Sequence, residues 1–235
     1  MNNHTKIFLL VAVCAAGSLL TAQAQTIADW TFETSVPAGT PGAGVAFPGI
    51  SPEVGSGTAS GLHVGNSVYS TPVGNGSTHS FSSTLWAVGD YYQFAVSTTG
   101  YNNIAISFDQ ASSGTGPGSF QLEYSTDGTT YANIGTAYTV LDNGLAPNAS
   151  WNSPIANPVY SYSENLSAIT ALNNAANVYF RLVDASTTSS SGGTVGTGGT
   201  DRVDNFDVSV VPEPTTIALA SLGGLACLAA RRRKY

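Results

Sequence analysis

Large apolar and polar residues alternate with a repeat of two in several short segments of the chain. The clearest segments are 91–97 (YYQFAVS), 103–109 (NIAISFD), 119–125 (SFQLEYS) and 178–184 (VYFRLVD). All four are rich in β-branched and aromatic residues, a combination typical of strands with one buried face. Two further strands are predicted near the ends of this region, at 26–32 (TIADWTF) and 201–210 (DRVDNFDVSV).

Turn signals separate these segments. Asp127-Gly128 predicts a two-residue hairpin that joins 119–125 to 131–135, and a second turn is predicted at residues 142–144. The apolar spacing of residues 165–175 predicts a helix of two or three turns. About ten strands in one region of this length predict an all-β fold. We therefore expect residues 25–210 to form an antiparallel β-sandwich with the strand order of a jelly roll.

Both ends of the chain depart from this pattern. IFLLVAVCAAGSLL follows Lys6, and Ala22 and Ala24 then stand at the −3 and −1 positions of a signal-peptidase site. Residues 1–24 are therefore predicted to be a secretory signal peptide that is cleaved before Gln25. A retained membrane helix is the alternative.

The C-terminal run at residues 215–230 contains no charge and would span roughly 24 Å as a helix, close to the thickness of a hydrocarbon core. The basic tail at 231–234 marks the cytoplasmic side. A transmembrane helix is predicted here, with a soluble helix as the alternative. The protein would then be an anchored precursor at the inner membrane, with its body outside.

Pro212, Glu213 and Pro214 precede this helix, and Arg231, Arg232 and Arg233 follow it. This order resembles the PEP-CTERM sorting signal of bacteria that form exopolysaccharide, and the resemblance covers residues 211–235. It implies that an exosortase, a membrane protease, recognises the motif and removes the helix. The implied destination is the cell envelope, the cell surface or the extracellular matrix.

Charge within the body limits the choice of partners. Between Gln25 and Val211, two arginines stand against thirteen carboxylates, a formal balance of −11. This surface would repel a phosphate backbone, so nucleic-acid binding is excluded. The cysteines, Cys14 and Cys227, lie in the apolar end segments, which leaves the body without a disulfide.

The body also resembles the jelly-roll ectodomains that PEP-CTERM proteins often carry, on the strength of ADWTFE, FDQASSGTGPGSFQLEYSTDGTTY, VYFRLVDAS and GTDRVDNFDV. Carbohydrate-binding jelly rolls often pair their first and last strands and hold a structural Ca²⁺ there. The resemblance therefore implies that Glu33 and Asp204 are calcium ligands, the alternative being two ordinary surface carboxylates.

Aromatic residues offer a second candidate site. Trp86 and Trp151 either stack on sugar rings or pack within the domain. Because Tyr91 and Tyr92 are adjacent on a predicted strand, one of them must face the core and the other the solvent.

No sequence motif supports catalysis. His63 and His79 lie in Gly-rich loops without a recognisable metal or general-base pattern, and GxSxG and SxxK are absent. The function expected is that of a non-catalytic exported protein that associates with exopolysaccharide and is processed by signal peptidase and an exosortase. A secreted polysaccharide hydrolase and an adhesin or ice-binding surface protein are the alternatives.

Overall fold

The computed structural model describes residues 24–144 and 150–211, which belong to one compact unit. These residues form twelve strands: β1 Gln25–Trp30, β2 Val54–Gly55, β3 Gly57–Leu62, β4 Val68–Ser70, β5 Phe81–Thr84, β6 Tyr91–Val96, β7 Ile104–Ser112, β8 Ser119–Ser125, β9 Ala132–Thr139, β10 Ser161–Asn165, β11 Val178–Asp184 and β12 Thr200–Val210. Helical structure in the same residues is limited to two 3-10 turns, Pro158–Tyr160 and Thr170–Leu172.

The strands form two sheets in which every pair is antiparallel. The seven-stranded sheet has the order β10-β7-β12-β1-β2, with β5 beside β12 and β4 beside β5. The five-stranded sheet has the order β3-β6-β11-β8-β9. If the short strands β2, β4 and β5 and the edge strand β3 are set aside, the remaining order is that of an eight-stranded jelly roll. The predicted all-β sandwich is therefore confirmed.

The first and last strands pair, as the jelly-roll resemblance implied. β1 lies beside β12 from Gln25↔Val210 to Trp30↔Phe206. β12 also pairs with β7, and a register shift between Asp204 and Asp207 marks a bulge in that ladder. Bulges of this kind redirect side chains, and Asn205 in the bulge has a positive φ of 50°.

Alternation along the strands builds the core between the sheets. In β6, Tyr92 and Phe94 are fully buried, whereas Tyr91 lies on the opposite face and is only partly buried, so the predicted alternation is confirmed. Phe94 stacks on Phe206 of the other sheet with ring centroids 3.6 Å apart, and Trp30 meets both rings edge-on. These aromatic contacts join the two sheets and supply much of the buried apolar area.

Two local predictions need correction. β8 and β9 do form the expected hairpin, but residues 126–131 connect them, which is longer than a two-residue turn. Asp127 Oδ1 accepts bonds from the backbone N–H groups of Thr129 and Thr130, and this stabilises the longer turn. The helix predicted at 165–175 is reduced to the 3-10 turn Thr170–Leu172, because backbone groups at its two ends bond to Ile104 of β7 and to the loop before β7 instead of to each other.

Within the described residues, no helix has the length and apolarity needed to cross a membrane. The predicted transmembrane helix at 215–230, the motif at 212–214, the basic tail at 231–234 and nearly all of the signal peptide at 1–24 lie outside the described residues.

Candidate functional site on the outer face of the five-stranded sheet

The outer face of the five-stranded sheet is built by the strand residues that point away from the core. In β11, Phe180 and Leu182 are fully buried, so Tyr179 and Arg181 between them project outward. The same alternation turns Gln93 of β6 outward, beside Arg181 in the β6–β11 pairing. Polar and aromatic side chains therefore meet on this face at the middle strand of the sheet.

Arg181 is the centre of the face. Its Cζ lies 3.8 Å from the ring centroid of Tyr91 and 3.5 Å from that of Tyr131, so the guanidinium is in contact with both rings. Arg181 Nε donates to Gln93 Oε1 at 2.9 Å, and Nη2 donates to the Tyr91 hydroxyl oxygen at 3.0 Å. Cation–π contacts and hydrogen bonds together hold the guanidinium in one orientation.

Gln93 fixes the second ring. Its Oε1 accepts the Tyr131 hydroxyl at 2.9 Å as well as the Arg181 Nε–H. We name the group Tyr91, Gln93, Tyr131 and Arg181 the arginine platform. Burial raises the pKa of Tyr131, and the nearby Arg181 opposes this shift. Its phenol is therefore neutral at physiological pH and remains a hydrogen-bond donor.

The platform keeps free hydrogen-bonding capacity. A guanidinium has five N–H donors, and Arg181 uses two of them on protein partners among the described residues, which leaves three for a ligand. Glu123 lies beside Arg181 in the β8–β11 pairing and adds acceptor oxygens. Burial raises the pKa of Glu123, and Arg181 lowers it. Aromatic rings with adjacent donors and acceptors are the groups that bind hydroxylated rings.

The structure places the two predicted calcium ligands against one loop, residues 72–80. Glu33 Oε1 accepts the His79 backbone N–H at 2.7 Å. Asp204 is fully buried, and its Oδ2 accepts the Asn75 N–H at 2.8 Å and the Ser77 hydroxyl at 2.6 Å. Burial raises the pKa of Asp204 to about 7.

These carboxylate oxygens face hydrogen-bond donors, so the arrangement around Asp204 does not fit a cation unless the loop rearranges. No cluster of three or more His, Cys, Asp or Glu side chains within residues 24–144 and 150–211 is placed to hold a metal ion. Calcium binding at Glu33 and Asp204 stays a prediction.

The two predicted sugar-stacking residues are mostly covered by the protein. Trp86 is 6% exposed and packs against His63, Tyr92 and Phe120. Trp151 is also 6% exposed, meets Tyr160 edge-on, and donates its Nε1–H to Val73 O. As they lie, both rings serve packing, and stacking on a sugar would require either of them to be uncovered.

Sequence reasoning missed a second polar cluster, which has the connectivity of a Ser-His-Asp triad. His63 Nε2 lies 3.1 Å from Ser83 Oγ, and His63 Nδ1 lies 3.2 Å from Asp90 Oδ2. All three side chains are at most 1% exposed. Burial lowers the pKa of His63, so the ring is neutral and bonds to both partners.

The connectivity of this triad alone does not make it an active site. A substrate carbonyl cannot reach Ser83 Oγ while the hydroxyl is enclosed by the core. Asp90 also accepts the backbone N–H groups of Val64 and Ala87 at 2.7 Å each, so it ties two loops together. No sequence signal relates these residues, because the distant segments meet only after the sheets have formed.

Comparisons with known proteins place this geometry in context. The fold and the C-terminal sorting signal together describe an exported β-sandwich protein. Residues 210–234 match the PEP-CTERM protein-sorting motif, so the predicted signal is confirmed. The motif implies an exosortase substrate that is membrane-anchored before processing and surface-associated afterwards. Comparison with curated proteins gives no significant match.

Several solved structures resemble the body at low identity. The K3 cleaved adhesin domain of Lys-gingipain from Porphyromonas gingivalis W83 is 12% identical, with 80% of this chain and 100% of that chain covered and a TM-score of 0.41. TmCBM61 in complex with β-1,4-galactotriose is 11% identical, with 78% and 94% covered and a TM-score of 0.32. These likenesses assign no function to this chain.

Proposed function

We propose that the processed protein is a non-catalytic polysaccharide-binding protein of the cell envelope or extracellular matrix. The arginine platform is its binding surface. The sorting motif supports export and surface association, and the chemistry of the platform supports the type of ligand. The single observation on which the proposal rests is Arg181, held between two tyrosine rings with donors left free on an outer sheet face.

Fixing a long charged side chain in one orientation on an outer sheet face costs side-chain entropy, so the ordered position of Arg181 calls for a reason. Arg181 is one of only two basic residues between Gln25 and Val211. Its position opposite a carboxylate would suffice for an ordinary surface ion pair, yet the guanidinium is packed against aromatic rings instead. Rings held in fixed positions lose little entropy when they bind a ligand, so the site is preorganised.

A hydrolase is the second candidate, because Ser83, His63 and Asp90 have the connectivity of a catalytic triad. Their enclosure in the core argues for a structural role. A catalytic nucleophile has to touch its substrate, and Ser83 is 0% exposed. Binding without bond cleavage is therefore the function that we propose.

Affinity electrophoresis of the body, residues 25–211, tests binding. Gels would contain soluble hydroxyethylcellulose, laminarin, galactomannan or xyloglucan. We expect at least one polymer to retard the wild-type protein, and Arg181→Ala to remove most of the retardation. Val159→Ala, at an exposed position outside the platform, is the control and should migrate as the wild type does. Equal retardation of the wild type and Arg181→Ala would contradict the assigned surface.

Sorting is tested separately in the producing cell. Replacement of Pro212, Glu213 and Pro214 by Ala should leave the full chain in the membrane fraction, because the exosortase recognition residues are lost. Immunoblots of membrane and released fractions measure this. Release of the triple variant at the wild-type level would contradict the role of the motif.

A further inference from the structure

A cleft opens between the edge strands of the two sheets, on the side where β9 and β10 face each other. Its volume is about 370 Å³. This lies within the range of small-molecule sites in proteins, roughly 300–1,000 Å³. The residues that matter for its chemistry are Phe108, Thr136, Tyr138, Tyr162, Ser163 and Glu164.

A bulge in β9 opens the cleft. Phe120 pairs with Tyr138 and Leu122 pairs with Ile134, so residues 135–137 of β9 lie opposite a single residue of β8. Gly135 has a positive φ of 62°, a conformation that favours glycine. Residues 135–137 therefore leave the ladder and form one lip of the cleft, and bulges of this type are common beside functional sites.

The aromatic wall of the cleft is rigid. Tyr138 donates its hydroxyl to Gln110 Oε1 at 2.6 Å, and Tyr162 donates to Thr139 O at 2.9 Å. Tyr162 stacks on Phe108 with ring centroids 5.4 Å apart and lies 5.0 Å from the Tyr138 ring. Because both phenol protons are used within the protein, the rings offer mainly carbon surface to a ligand.

Charge narrows the class of ligand. Glu164 is the one acidic or basic residue among the cleft residues, and burial raises the pKa of both Tyr138 and Tyr162, so their phenols stay neutral. A carboxylate at the mouth accepts hydrogen bonds from hydroxyl groups. It also repels anions, and the negative body, with its formal balance of −11, adds to this repulsion. Rigid carbon surface beside a hydroxyl acceptor suits a neutral sugar ring.

We propose that this cleft is a second saccharide site, which binds one neutral sugar ring independently of the arginine platform. The proposal rests on the proposed polysaccharide-binding function. Tyr131 of the platform immediately precedes β9, and Gly135 of the cleft lies four residues further along the chain, a separation of at most about 13 Å. Two sites on one body allow the protein to hold two polysaccharide chains, or two points on one chain.

Isothermal titration calorimetry of residues 25–211 with cellohexaose, laminarihexaose and mannohexaose tests the proposal. Glu164 is exposed on β10, and its pairing with Ile106 puts it on the same side of the sheet as Tyr162 and Phe108, so Glu164→Trp fills the mouth without removing a core side chain. Glu164→Gln is the second variant and removes only the charge. We expect two bound oligosaccharides per wild-type chain, one for Glu164→Trp and one for Arg181→Ala. Glu164→Gln should weaken the second site at least threefold.

The outcomes separate the two proposals. The cleft would not be a saccharide site if both cleft variants bind with wild-type stoichiometry and affinity while Arg181→Ala loses all binding. That result would still support the platform. Loss of all binding in Glu164→Trp, with wild-type binding in Arg181→Ala, would contradict the platform as a saccharide site and support the cleft. A wild-type chain that binds none of the three oligosaccharides at millimolar concentration would contradict both.

Discussion

The triad-like cluster Ser83–His63–Asp90 and the arginine platform use similar polar groups in opposite ways. Every side chain of the cluster is at most 1% exposed, and its hydrogen bonds are satisfied by the protein. The platform stands on an outer sheet face, and three guanidinium N–H donors are without a partner in the described part of the chain. Unused hydrogen-bonding capacity at a surface distinguishes a binding site from a structural network.

Because the cluster is buried and hydrogen-bonded within the protein, we expect loss of its central histidine to reduce stability strongly. His63→Ala removes the partner of buried Asp90 and Ser83 and leaves a cavity beside Trp86. We expect a loss of about 3 kcal/mol or more in the free energy of unfolding. Urea denaturation followed by tryptophan fluorescence measures it. A loss below 1 kcal/mol would mean that the cluster does not hold its loops together.

A second buried network predicts how stability changes with pH. Asp201 Oδ1 accepts Gln110 Nε2–H at 2.9 Å, and Asp201 Oδ2 lies 2.9 Å from Ser112 Oγ. Ser112 has one hydroxyl proton, and the Pro117 carbonyl, 2.7 Å away, can only accept it. The proton between Asp201 and Ser112 must therefore belong to Asp201, which agrees with the raised pKa that burial produces.

The sign of the effect follows from linkage. The folded state keeps the Asp201 proton, whereas the unfolded chain releases it above a pKa of about 3.9. The stabilisation that protonated Asp201 gives the folded state is therefore fully present below the unfolded-state pKa. It is lost as pH rises, at about 1.4 kcal/mol per pH unit. Asp201→Asn can make both hydrogen bonds without a titrating proton.

We expect the unfolding free energy of Asp201→Asn to rise relative to that of the wild type between pH 5 and pH 7, by about 1.4 kcal/mol for each pH unit over which the folded protein keeps the Asp201 proton. Urea unfolding of both proteins at the two pH values measures this difference. Asp29, Asp184 and Asp204 also have raised pKa values, but they are present in both proteins, so their effect cancels in the comparison. Parallel pH profiles for the two proteins would show that Asp201 is ionised in the fold.

The smallest effect is expected at the platform. Arg181→Ala removes two cation–π contacts and two hydrogen bonds on a partly exposed face, so stability should fall by about 1 kcal/mol. The thermal unfolding midpoint measures this. A fall as large as that of His63→Ala would indicate that Arg181 is mainly structural, and the contrast between the two regions would disappear.

Local patterns explain how much of the molecule was predictable. The repeat of two in YYQFAVS and VYFRLVD predicted the strands and the opposite orientations of Tyr91 and Tyr92. The confirmed sorting motif is likewise a local pattern. The length of the β8–β9 turn could not be predicted from the Asp-Gly pair, because Asp127 also accepts hydrogen bonds from backbone N–H groups beyond that pair.

The platform could not be predicted, because it depends on contacts between distant residues. Tyr131 reaches Arg181 only through the β8–β9 hairpin and the pairing of β8 with β11. His63, Ser83 and Asp90 likewise come from loops and strands whose approach depends on the whole sandwich. Trp86 and Trp151 were chosen for residue type alone, which does not reveal that a ring is buried.

The most direct test measures retention and bond cleavage on one polysaccharide that retards the wild-type body. Ser83→Ala and Arg181→Lys are compared with the wild type, since Lys keeps the charge but loses the planar contact with both rings. We expect full retention of Ser83→Ala, weakened retention of Arg181→Lys, and no release of reducing ends by any of the three proteins. Reducing-end release by the wild type that Ser83→Ala abolishes would contradict it.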